Sequence, residues 1–392
     1  MSPATSPSTC VDAVYVHAPF CARRCFYCDF AVTVSRTGDL PGWIAALSGE
    51  LDLLARNEGV ELSTPLDTLY VGGGTPSLLG PEAMTQLRLM LGEARIADST
   101  EFTAEANPES FTREVADGWR RAGLTRLSLG TQSFQPGVLR WMGRLHRAEG
   151  TAKAVAHARD ADITNLSVDL IFGLPDEVER DWVADLDAVL ALEVPHLSLY
   201  GLTAEPSTPL RRRVDEGRIT MPDDQRYRDE FLLAHERLTA AGYEHYEVSN
   251  FALPGFRSRH NAQYWTGRPY VGLGNGAHGF VPPQRRWNLR DWHDYSDAVR
   301  QGRSPVDASE QVTGEAARLE EIWLGLRTDR GLGLGGLTHE ARSQIDRWVG
   351  QGLACIVGVA AEARVVLTPE GWLMLDELAV ELDADLGPGV EP

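Results

Sequence analysis

Apolar residues fall in short runs along the first two hundred positions, and each run gives way to a stretch with helical spacing. The runs Ala13–Val16, Thr68–Val71, Glu101–Ala106, Arg126–Leu129, Leu166–Ile171 and His196–Tyr200 are short, and several end directly in Gly, Pro, Asn or Cys, as buried strands do where they meet a loop. Between them Trp43, Ile44, Leu47, Leu51 and Leu54 recur near helical spacing, and Leu87 and Leu91 mark another helix, so a strand is followed by a helix that can cover one sheet face. Six such units without a long structureless gap predict an α/β fold, a partial (β/α)6 barrel over residues 13–240. A doubly wound open sheet gives the same local pattern, and periodicity does not separate the two.

The flanks read differently. Residues 1–12 predict a flexible tail, and from about Asp223 a helix leads into an aromatic, Gly-rich segment (241–304) that breaks the βα alternation. From residue 305 to 392, rising Ala, Glu and Leu content predicts a smaller, mostly helical domain in which RVVLTPEGWLML, residues 364–375, reads as a β-hairpin.

Charge narrows the functional classes. The chain of 392 residues carries 37 Lys and Arg against 56 Asp and Glu, a formal charge of −19 that repels a phosphate backbone, so no nucleic-acid partner is expected. The Arg-rich stretches at Arg211–Arg213 and Arg285–Arg286 read as solvated surface. No apolar run reaches the roughly 18 residues of a membrane span, and the opening MSPATSPSTCVD lacks the features of a signal peptide, which points to the cytoplasm.

Three of five cysteines, Cys21, Cys25 and Cys28, crowd into YVHAPFCARRCFYCDF directly after the first strand. That is a poor disulfide framework and a better metal site, whereas Cys10 and Cys355 stand apart as ordinary thiols. Three soft thiolates on one loop suit an iron–sulfur cube with one iron left open; zinc remains an alternative, with His17 completing a tetrahedron.

CARRCFYC resembles the CxxxCxxC signature of the radical S-adenosylmethionine superfamily. The resemblance implies a [4Fe-4S] cluster on Cys21, Cys25 and Cys28, S-adenosylmethionine chelated to the open iron, and an electron donor for the cluster. VGGGTPS is similar to the motif that binds the methionyl ammonium group in that superfamily, with Gly73, Gly74 and Thr75 in place, Thr75 standing where an acidic residue is usual. Glu105 in AEANPES, Gln132 in LGTQSF, Arg144 in WMGRLH and Asp169 in SVDLIFGLP lie at or just beyond strand ends, where ligand groups gather in parallel α/β folds. With Tyr15 and Tyr27 they match positions lining the cofactor pocket of the oxygen-independent coproporphyrinogen III oxidase group, a likeness covering most of the first three hundred residues.

Two features separate subfamilies. The oxidases of that group resemble CxxxCxxCxC, whereas this chain has Cys28, Asp29 and Phe30, which resembles the haem chaperones of the group. HNAQYW, His260 to Trp265, matches the HNxxYW motif tied to haem binding in those chaperones. On its own the hexapeptide reads equally as an aromatic loop capping the barrel. The resemblance implies haem contacts at His260, Asn261, Tyr264 and Trp265, respiratory haem proteins as acceptors, transient membrane association, and a monomer or dimer. The competing readings are a coproporphyrinogen III oxidase and a radical enzyme acting on RNA.

Overall fold

A computed structural model describes residues 9–359 and 362–386. The flexible tail expected at the amino terminus lies outside the described residues up to position 8, but Thr9–Val11 forms a strand paired in parallel with Val60–Leu62.

The main sheet is built from β1 (Ala13–Ala18), β2 (Thr68–Gly73), β3 (Glu101–Ala106), β4 (Arg126–Gln132), β5 (Asn165–Phe172), β6 (His196–Gly201), β7 (Glu244–Glu247), β8 (Asn250–Ala252) and β9 (Val271–Leu273). Their order is β7-β8-β6-β5-β4-β3-β2-β1-β9. The first six run parallel with one another, β9 adds parallel to β1, and β8 and β7 continue antiparallel from β6. This is the partial barrel that the six apolar runs predict. The Gly-rich segment is no separate layer, because its strands complete the sheet at both margins.

Helices α1 (Leu40–Glu58), α2 (Ala83–Leu91), α3 (Arg113–Arg121), α4 (Gly150–Asp160), α5 (Trp182–Leu190) and α6 (Asp224–Ala240) follow the strands. In α1, Asp39 caps the first turn by accepting from Gly42 N, Gly59 at φ 62° ends the helix, and the stripe Trp43, Leu47 and Leu54 is buried. The same buried face carries Glu50, whose carboxylate accepts from Gly274 N (2.8 Å), Asn288 Nδ2 (2.6 Å) and Tyr295 Oη (2.6 Å) and so ties α1 to the segment after β9.

The short helix α7 (Arg259–Trp265) contains the HNAQYW motif. An antiparallel sheet of Val306–Gln311, Gln284–Asn288 and His278–Val281 follows, so residues just past 305 are strand rather than helix. The C-terminal region then packs α8 (Gly314–Leu326), α9 (His339–Gly350) and α10 (Leu375–Leu386) on a three-stranded sheet. The expected hairpin lies ten residues earlier, between Ala354–Val357 and Arg364–Leu367. Thr368 instead caps a helical turn, Pro369–Trp372, by accepting from Gly371 N, with Pro at the first helical position where its missing N–H costs nothing.

Candidate functional site

The carboxyl ends of the parallel strands surround a cavity of about 530 Å³. Cys21, Cys25, Tyr27 and Cys28 reach it from the loop after β1, and Gly73, Gly74 and Thr75 from the end of β2. Glu105 on β3, Gln132 on β4, Asp169 on β5 and Arg144 complete the set. Side chains picked out along 150 residues of sequence thus face one space, as expected where each strand ends in a loop on the same rim.

The cysteine loop is held at both flanks. Phe20–Cys21 pairs with Thr33–Val34, Phe26 stands edge-on to Trp141 at 4.8 Å, and the Phe26 carbonyl accepts from Leu210 N at 3.0 Å. Thr75 Oγ1 donates to Cys21 Sγ at 3.5 Å, and Arg144 Nη1 lies 3.9 Å from Cys25 Sγ. Burial pushes the Cys21 thiol up to about 11 and raises Cys28 as well, so thiolates on this wall need positive charge beside them. Arg144 supplies part of it. Its Nη2 donates to Asn107 Oδ1 (2.6 Å) and to the Gly130 carbonyl, while its buried Nε has no partner.

Asn107 was not singled out by sequence, yet it also donates to Thr75 Oγ1 at 3.1 Å and so joins the rims of β2, β3 and β4. The available signal was its place two residues after Glu105 and immediately before Pro108.

Two carboxyls lie deeper. Glu105 accepts from Tyr70 Oη (2.8 Å) and Gly73 N (3.0 Å), and burial pushes it up to about 7. Asp169 accepts from Ser128 Oγ at 3.0 Å and is raised by burial to about 6. Gln132 takes φ 70° at a bulge between β4 and β5, a left-handed backbone uncommon for a residue with a side chain and typical of functional rims. Gly73, at φ +109°, has no room for more: an added Cβ would fall 2.3 Å from His17 Cε1.

Tyr15 does not line this cavity. Its hydroxyl is bonded to His17 Nδ1 at 3.1 Å, and its ring stacks on Tyr70 inside the barrel. His17 is 5% exposed, and its Nε2 is engaged with the Ala31 carbonyl at 2.9 Å. Both nitrogens are therefore occupied, which removes the zinc tetrahedron completed by His17. Among the described residues no three His, Cys, Asp or Glu side chains converge on a single-ion position. Cys21, Cys25 and Cys28 line the same cavity, and the charges of Cys25 and Cys28 act on Cys21, a soft donor set suited to a cluster with space for a small zwitterion against Arg144 and the glycine rim.

HNAQYW lies at the opposite end of the barrel. Ser258 caps α7 by accepting from Asn261 N, and the N–H groups of Arg259 and His260 donate to the Glu101 carboxylate at 3.0 and 2.9 Å. Gln263 Nε2 donates to Asp67 Oδ2 at 3.0 Å, so the helix plugs the amino ends of β2 and β3. Within the plug, His260 is 0% exposed, bonded through Nδ1 to Thr68 Oγ1 (2.8 Å) and through Nε2 to Tyr264 Oη (2.9 Å), and stacked on Tyr70. Burial pushes the imidazole down to about 3, keeping it neutral. With both ring nitrogens engaged inside the plug, His260 is an internal strut in this structure. Tyr264 and Trp265, but not His260 or Asn261, reach a second cavity of about 630 Å³ outside the barrel.

Parallel strands closed around a three-cysteine loop at their carboxyl ends define a radical S-adenosylmethionine protein, and the Radical SAM superfamily pattern matches residues 15–189. The chain is 39% identical over 93% of its length to the haem chaperone HemW of Mycobacterium tuberculosis, spanning 92% of that protein. It is 37% identical over 69% of its length to the haem chaperone HemW of Escherichia coli, spanning 70% of it. The chain belongs to the HemW family. Its fold is that of the E. coli coproporphyrinogen III oxidase HemN, a radical SAM enzyme, with a TM-score of 0.78 across 96% of this chain and 90% of that one, at 22% identity.

Proposed function

We propose that this chain is a haem chaperone: it takes up haem and passes it to respiratory haem proteins, while Cys21, Cys25 and Cys28 hold a [4Fe-4S] cluster whose open iron binds S-adenosylmethionine. The observation that carries the reading is the 39% identity to a haem chaperone across 93% of the chain, with HNAQYW intact and Phe30 standing where the oxidases have a further cysteine. When bound, the cluster supplies one electron to cleave the sulfonium. The chain's own groups orient the cofactor: Gly73 and Gly74 give backbone carbonyls to its ammonium, Arg144 meets its carboxylate, and Glu105 and Asp169 face its polar ribose.

Haem is cargo in this scheme, and its acceptors include membrane-bound complexes, so contact with a membrane is transient. Among the described residues no helix is long and apolar enough to cross one. Anaerobic reconstitution followed by haem titration and transfer to a haem-depleted acceptor tests the proposal. The expected result is cluster absorbance, saturable haem binding and recovery of the acceptor's holo-spectrum; haem that never leaves the chain overturns it. The rival oxidase reading predicts protoporphyrinogen formation from coproporphyrinogen III with reductant and S-adenosylmethionine, and none is expected.

A further inference from the structure

Barrels of parallel strands commonly fill their interior with layers of branched apolar side chains. Here the inward positions are polar. Strand register sets Thr103 on β3, Arg126 on β4 and Asn165 on β5 side by side in one layer near the amino ends. Glu105, Ser128 and Ser167 form the layer above, and Asp169 and Ser198 the next, which opens on the thiol cavity. Arg126 is the only Lys or Arg in the six parallel strands β1 to β6.

That arginine is 2% exposed, its guanidinium has no ion pair among the described residues, and its Nε is buried without a hydrogen-bond partner. Thr103 Oγ1 and Asn165 Oδ1, beside it in the layer, are likewise buried and unpartnered. Glu101, at the same end of the barrel, is committed to the N–H groups of Arg259 and His260. A permanent cation thus sits inside the barrel with its charge unneutralised. The carboxyls left to respond to it are Glu105, two strand residues or roughly 7 Å higher, and Asp169, two residues higher again. Burial raises both, and the Arg126 charge pulls both back down.

We propose that Arg126 is a positioning residue for the cofactor: from beneath the site, its unpaired charge holds Glu105 and Asp169 in the ionised form that grips the ribose hydroxyls. The inference rests on the cofactor site proposed above and adds the group that sets its charge. Nothing else inside the barrel can take that part. The phenols Tyr15, Tyr70, Tyr200 and Tyr264, from β1, β2, β6 and α7, and the imidazoles His17 and His196 are all shifted by burial towards their neutral forms. Arg144, the other cation of the cavity, is turned at the rim to Asn107, the Gly130 carbonyl and Cys25.

The test compares Arg126→Met and Arg126→Gln, two neutral replacements, with Arg126→Lys, which keeps the charge. Removing a cation that has no ion pair strands no partner, so the neutral variants should fold. The first readout is an infrared titration of carboxyl groups in the cofactor-free full-length chain, with Glu105→Gln identifying the Glu105 band. Its midpoint should rise by about one pH unit or more in the neutral variants and stay near the parent's in Arg126→Lys. The second is equilibrium binding of S-adenosylmethionine after anaerobic reconstitution. Relative to the parent, the neutral variants should bind about tenfold more weakly at pH 7, and the gap should close towards pH 8.5 as the carboxyls ionise. A merely structural loss weakens binding equally at both pH values. An unmoved Glu105 midpoint, or a deficit constant with pH, overturns the role of Arg126 and leaves the cofactor site standing. A parent chain that binds no S-adenosylmethionine overturns the site itself, while the infrared titration still decides whether Arg126 sets the charge of Glu105.

Discussion

Replacing His260 by alanine separates a strut from an iron ligand. The ring is fully buried and is the shared partner of Thr68 Oγ1 and Tyr264 Oη, so its removal leaves a void and two stranded hydroxyls. Large-to-small core changes cost about 2–5 kcal/mol, and a stranded buried hydroxyl about 1–3 kcal/mol, terms that overlap because one cavity serves both. A loss of about 4 kcal/mol in the cofactor-free chain is expected, visible as a fall in melting temperature of at least about 5 °C.

The pH dependence gives a second handle. The imidazole titrates near 3 in the fold and near 6.5 when unfolded, so between those values the unfolded chain binds a proton that the native chain refuses. The parent therefore loses about 1.4 kcal/mol per pH unit from this group as pH falls below 6.5. His260→Ala has no such group, and its deficit should narrow by about 2 kcal/mol between pH 8 and pH 5. Urea unfolding at the two pH values measures this. A deficit below about 0.5 kcal/mol at pH 8, or one that stays constant to pH 5, refutes the strut.

Other expectations follow from the same geometry. Cys25→Ala should lose cluster absorbance and bound sulfide after anaerobic reconstitution; a variant that still assembles a full four-iron cluster rejects Cys25 as a ligand. Glu105→Gln should stabilise the cofactor-free chain as pH rises, because the native carboxyl is raised to about 7 and its neutral form is favoured; the parent's penalty grows from about pH 4.5 to 7 and reaches at most about 3 kcal/mol. A stability difference that does not grow between pH 5 and 8 counts against the buried carboxyl. Asp185→Ala removes a fully buried carboxylate that accepts from Ser133 Oγ (2.8 Å), Phe134 N (2.8 Å) and Arg180 Nε (3.1 Å). Leaving buried Arg180 with only Glu230, at 3.8 Å, to balance its charge should cost about 3 kcal/mol in denaturant titration, and a near-neutral result would show that the pair contributes nothing.

The parts of the fold legible in the sequence were those whose signal is local. Parallel strands buried on both faces read as apolar runs, and each of the six runs marks a strand. The thiol cavity was legible for a related reason, since Gly73 and Glu105 sit where a run ends, Cys21 in the loop that follows one, and Asp169 is the one carboxylate inside an otherwise apolar run. Strand β9 was not, because three residues, Val271 to Leu273, carry no periodicity and pair with β1 some 250 positions earlier. Glu50 looked like an ordinary charge on a helix until Asn288 and Tyr295 closed over it. The TPEG stretch carries both turn and helix-start signals, and only the cap on Thr368 decides between them. His260 shows the limit most clearly. Its residue type permits metal binding, and what fixes its role is contact with Thr68 and Glu101, 192 and 159 positions away.

The outermost strands of the main sheet come from the last part of the chain to contribute to it, residues 244–273. On a ribosome adding about 5–20 residues per second, several seconds separate completion of β6 from arrival of β9. Through that interval the newborn protein presents two naked rows of amide and carbonyl groups, open to pairing with any neighbouring nascent chain. A gene truncated after Ala240 should accordingly yield aggregates rather than a smaller, usable barrel, and synthesis of the full-length protein should be sensitive to crowding on polysomes.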